Sequence, residues 1–172
     1  MTTTVTLIAV GDSAEGMGLR AVAEGMGYDV RLMRPTSPEA VRDALIAGAA
    51  HDVTILSAKG GPRGLYLGDG GAAVLDPSMM DGPWLITAKL FAGLTFPSDS
   101  VLISTASATR ESGLAAAVFD TGGHLVGPLG APDPRVIIPW VAACLLSADK
   151  GLPEAVTAAN ALVGADDRFS YG

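Results

Sequence analysis

Lys59 and Ser107 are the two residues of this sequence best placed to do chemistry together. Each closes a Val/Ile/Leu-rich run, in "TILSAKGG" and "VLISTASATRESG", where a buried strand opens into a loop. In open α/β sheets the carboxyl ends of the strands are where sites are built. A serine beside a lysine can work as nucleophile and base, provided that burial leaves the amine neutral near pH 7. Arg63 in the adjoining "GGPRG" pushes in that direction as a like charge, whereas a Gly-rich loop admits solvent and opposes it. The plain alternative is a solvated loop cation and a serine that caps the following helix.

The remaining chemistry-bearing residues form no comparable pair. His51 and His124 each precede a strand, which sets both at the amino edge of a parallel sheet, away from the usual site. Cys144, the single cysteine, lies in "VIIPWVAACLL" and reads as a small buried hydrophobe, so disulfide frameworks and cysteine-based zinc sites are excluded. Asp69, Asp76 and Asp81 are scattered among glycines and prolines without ligand spacing, read as turn formers, and leave no metal expected. "GDSAEGMG" (11–18) opens a helix after the first strand, as a phosphate loop does. It lacks both G-x-G-x-x-G and G-x-x-x-x-G-K-[ST], and Asp12 and Glu15 would repel an anion there. A strand-to-helix turn is the first reading, with a Rossmann-like or flavodoxin-like small-ligand domain as an alternative and no cofactor expected.

Five short runs supply the strands that would position these residues: 4–10, 28–33, 52–57, 100–105 and 123–127. Helical patterns alternate with them over 14–26, 38–49, 84–92, 111–121, 134–147 and 153–163. Ser37 before Pro38 and Asp133 before Pro134 are N-cap and first-turn proline signals. Pro139 should kink the fifth helix or delay its start. The alternation predicts an α/β fold, a three-layer αβα sandwich with a mostly parallel central sheet. The segment 60–82 is too long for a plain loop and, with "LYL" and "AAVL" around "GDGG", reads as a small hairpin near the carboxyl edge.

Composition bounds the rest. A chain of 172 residues, 49% apolar and 17% charged, fits one well-buried domain spanning 1–172. A net charge of −7 without a basic cluster argues against nucleic acid. No run is long enough to cross a bilayer, and the opening "MTTTVTLIAV" lacks the features of a signal peptide, so the expectation is a cytoplasmic protein with no membrane partner.

Taken in order, the loops at Lys59 and Ser107 resemble the caspase-like fold, in particular the bacterial CHAT domains. Members carry a strand ending in Ser-Gly-His-Gly, a glycine-rich hairpin, and a strand ending in Ser-Ala-Cys. Here "LSAKGG", "GPRGLYLGDGG" and "ISTAS" stand in those places; "ESGLAAAVFDTGGHLVGPLGAPDP", "DKGLPEAVTAAN" and "RFSYG" resemble the helix and strand, last helix and closing strand that follow. The resemblance runs from about Asp52 to Gly172 and implies a caspase-like topology with a peptide-binding site at the carboxyl edge. It places Lys59 at the histidine, with Gly60 and Gly61 beside it. Ser107 falls at the cysteine, or Ala106 if the register moves by one. The Cys–His dyad is therefore absent. The implied function is a catalytically degenerate domain that binds a protein or peptide partner, or a second copy of itself. A hydrolase using Ser107 and Lys59 is the alternative. "DPSMMDGPWLITAKLFAGLTF" (76–96), with Trp84 at its centre, is either a docking patch or core.

Overall fold

The structure is a computed structural model that describes residues 3–11, 13–61, 64–67, 85–107, 109 and 114–172. The chain runs β1 (Thr4–Ala9), α1 (Ser13–Gly25), β2 (Asp29–Met33), α2 (Pro38–Gly48), β3 (Val53–Ser57), β4 (Lys59–Gly61), β5 (Gly64–Tyr66), β6 (Leu85–Ile86) and α3 (Ala88–Phe91). It continues through β7 (Val101–Ser104), α4 (Leu114–Phe119), β8 (His124–Pro128), α5 (Pro134–Leu146), α6 (Leu152–Asn160) and β9 (Phe169–Tyr171). Six strands form the main sheet in the order β2-β1-β3-β7-β8-β9. The first five are parallel and β9 is antiparallel to β8.

The apolar runs form this sheet because both of its faces are covered. Successive side chains point to opposite faces of a strand. Val5, Leu7, Ile55, Ile103 and Val126 thus pack with α1, α5 and α6. Ile8, Leu56, Leu102 and Leu125 pack with α2, α3 and α4. Two cores on two faces make three layers, the αβα sandwich that the alternating pattern predicts.

Both expected N-caps are made: Ser37 Oγ accepts from the Ala40 N–H at 3.1 Å, and Asp133 accepts from the Arg135 N–H at 2.9 Å. The Asp133 carboxyl lies at about 2, held down by its side-chain and backbone hydrogen bonds with Arg135. Pro139 lies inside α5, which runs through it from Pro134 to Leu146 instead of starting later. The ring is on the exposed face, and the carbonyl left without its donor belongs to exposed Arg135, where water can serve it. At the other end, Asn160 ties β9 down. Its Oδ1 accepts from Trp140 Nε1 (2.9 Å) and the Phe169 N–H (3.0 Å), and its Nδ2 donates to the Phe169 carbonyl (2.8 Å). The Trp140 and Phe169 rings stack beside it with centroids 3.9 Å apart.

The segment between β3 and β7 departs from the sequence expectation. β4, β5 and β6 form a separate three-stranded antiparallel sheet. Its hairpin folds earlier than "GDGG", pairing Lys59 with Tyr66 and Gly61 with Gly64. The expected helix over 84–92 is replaced by the strand Leu85–Ile86 and a single turn at Ala88–Phe91, with Thr87 extended between them. Strand pairing outside the window decides this: Leu65 pairs with Ile86. Residues 68–84, which include Asp69, Asp76, Asp81, Trp84 and the "AAVL" run, lie outside the described residues.

Candidate functional site

The carboxyl ends of β1, β3 and β7 carry one row of small side chains on the α1 face. Ala9 is registered with Ser57, and the β3–β7 register, Leu56 opposite Ser104, puts Thr105 one step on beside Ser57. Above this row α1 begins. Gly16 permits the approach, since a Cβ there would stand 2.8 Å from the Ala9 Cβ. Glu15, half-buried in the first turn, then reaches both hydroxyls. Ser57 Oγ and Thr105 Oγ1 each donate to Glu15 Oε1 at 2.6 Å. Two strand ends and one helix start therefore meet on a single carboxylate, with the end of β1 under Gly16, where β2 and β3 part to either side of β1. That parting is the switch point of an open α/β sheet.

On the other face, a second set of hydroxyls shapes the loop after β7. Ser104 Oγ and Thr109 Oγ1 lie 2.7 Å apart, Thr109 Oγ1 donates to the Ala106 carbonyl at 2.5 Å, and the Ala106 N–H donates to Ser104 Oγ at 3.3 Å. Ser104, Ala106 and Thr109 are fully buried. Buried hydroxyls that satisfy one another fix a loop more tightly than solvated ones.

This loop and the small sheet meet at Gly60. A Cβ on Gly60 would stand 2.6 Å from the Ser107 carbonyl oxygen and 3.1 Å from the Ala106 Cβ. Gly60, Ala106 and Ser107 are thus in close contact. Lys59 and Gly61 precede and follow Gly60 on a short strand, so the pleat turns them to the opposite face, with Tyr66. The Tyr66 phenol covers Gly61, where a Cβ would be 2.6 Å from its Oη. Lys59 is exposed and Ser107 half-buried. The serine–lysine reading asks for a buried lysine turned toward the serine; the residue turned that way is Gly60.

No imidazole or thiol stands at this edge among the described residues. His124 begins β8 and His51 precedes β3, both at the amino edge. Cys144 is buried on α5, where desolvation pushes its thiol up to about 11. No group of three or more His, Cys, Asp and Glu able to hold a metal ion occurs among the described residues, and no helix there is long and apolar enough to cross a membrane. Of the 76–96 segment, Ile86, Phe91, Leu94 and Phe96 are core, while Trp84 is not described.

Sequence reasoning missed Glu15, Ser57 and Thr105 as a unit. Glu15 registered only as a charge that an anion would avoid. A usable signal existed: "TILS" and "LIST" each finish an apolar strand on a hydroxyl, one of which must find a buried acceptor.

The fold and site define a three-layer α/β protein with its polar residues gathered at the carboxyl edge of a mostly parallel sheet. No family model and no curated protein matches the chain. Among solved structures it is similar to an imine reductase from Bacillus cereus, at 19% identity and a TM-score of 0.39. That overlap covers 78% of this chain and 43% of the reductase.

Proposed function

We propose that this chain is a caspase-like domain without the Cys–His dyad, and that it binds an extended segment of a protein partner at its carboxyl edge. The observation that carries the reading is the junction at Gly60. The strand in the histidine place and the loop in the cysteine place are in contact there, with neither side chain present. Further support comes from the order of elements after β3: a small antiparallel sheet, a central strand, a helix, a strand, the last helices and an antiparallel closing strand. A bound segment would meet Glu15, whose Oε1 takes both hydroxyls.

Two measurements test this together. A fluorophosphonate probe applied from pH 6 to 10 is expected to leave Ser107 unlabelled, and a fluorogenic peptide library uncleaved. Panning the immobilised protein against random peptides is expected to enrich a sequence whose binding weakens in Lys59→Glu. Cleavage or labelling abolished by Ser107→Ala would replace the reading with a serine hydrolase.

One observation favours a second reading, a Rossmann-like or flavodoxin-like domain for a small ligand: the switch point between β1 and β3. Glu15 in the first turn of α1 opposes a phosphate there. Thermal shifts with NAD(H), NADP(H) and FMN are expected to be nil, and a saturable shift with any of them would put this reading first.

A further inference from the structure

We infer that the apolar cavity beneath the α5–α6 turn is a binding site for a small hydrocarbon group, ring-sized and free of hydrogen-bonding atoms. The inference is independent of the carboxyl-edge site, which lies at the other end of the strands. Val53 and Val101, the first residues of β3 and β7, form the cavity floor with Ile103. Cys144 of α5 and Leu152 and Ala155 of α6 are among its walls. The space measures about 130 Å³. It is open to solvent on one side, with Ala148 exposed and Val53, Val101 and Leu152 half-buried. It persists because alanines stand at 148 and 155, where longer side chains would fill it.

The lining selects the occupant. The nearby Leu145 carbonyl is already taken by the Tyr28 hydroxyl at 2.9 Å, which leaves the Cys144 thiol as the only side-chain heteroatom among the lining residues. Burial keeps that thiol protonated and a poor partner. A polar atom brought in would lose its water without replacement. Enclosed apolar cavities of ~150 Å³ take up benzene or xenon; this pocket, open on one side, is expected to take the same class of group more weakly. Ala148, which is exposed, borders the entrance.

The test is a titration of the purified protein with benzene and with phenol, read by melting temperature and by the methyl resonances of Val53, Val101 and Leu152. Benzene is expected to raise the melting temperature and shift those methyls saturably. Phenol should need at least about tenfold more, which corresponds to one uncompensated polar group. Ala155→Leu should abolish the methyl shifts. Ala148→Leu, a change at an exposed position, should do the same and decides the matter if the first variant does not fold. Absence of saturable shifts with benzene, equal binding of phenol, or binding undiminished when the cavity is filled would each overturn the inference.

Discussion

Glu15 is the residue on which most of the carboxyl edge depends. Its Oε1 is the acceptor for two buried hydroxyls, so Glu15→Ala leaves Ser57, 2% exposed, without its acceptor, and Thr105, 3% exposed, with only its longer bond to the Leu56 carbonyl at 3.4 Å. The expected loss is about 2 kcal/mol, measured by urea unfolding, because an orphaned buried hydroxyl costs more than the bond it had made. Glu15→Gln keeps an oxygen acceptor and should lose less than half as much. A larger loss for Gln than for Ala would show that the hydroxyls do not depend on that oxygen. The strands ending on Ser57 and Thr105 were legible in the sequence; their meeting on one carboxylate was not. It depends on the register between β1, β3 and β7, and register is a property of pairs of strands. Lys59 shows the same limit: its place after β3 could be read, but the pleat that turns it from Ser107 is set by pairing with Tyr66.

Elements with local signals matched expectation most closely. α2 starts at Pro38 under its Ser37 cap, and Ser37→Ala should cost about 1 kcal/mol in a denaturant titration. β6 had no local signal, because "WLITAKLF" suits a helix until Leu65 and Tyr66 offer it a ladder. The junction of the small sheet with the loop after β7 is expected to be intolerant. Gly60→Ala drives a Cβ against the backbone of Ser107, and should alter amide shifts at both 59–61 and 105–107. Changes confined to one of these segments would mean that they are not in contact. Asn160 joins three elements, and Asn160→Leu should destabilise the protein by about 3 kcal/mol, since three partners on Trp140 and Phe169 lose their bonds together.

For the molecule as a whole, Cys144 links packing to pH. Burial raises its thiol from 9.0 to about 11, so between these values the unfolded chain has lost a proton that the folded chain keeps. The stabilisation is full below pH 9 and is lost as pH rises toward 11, with a slope of at most ~1.4 kcal/mol per pH unit. Unfolding free energies measured from pH 8 to 11 should fall more steeply for the wild type than for Cys144→Ala. Parallel curves would show the thiol to be solvated. The layered α/β class was readable from alternation alone; the strand order was not, because alternation fixes which elements exist and leaves their neighbours open. That order has a consequence for how the chain assembles. Once β2 has joined β1 on one side, β3 joins the other side of β1, and β7, β8 and β9 are each added to the edge formed by the main-sheet strand before it. No later strand has to part an existing pair, so the sheet can grow at its edge as the chain emerges. β9 comes last, reversing direction on the edge of β8, where a ring stack to α5 and one amide from α6 seal it.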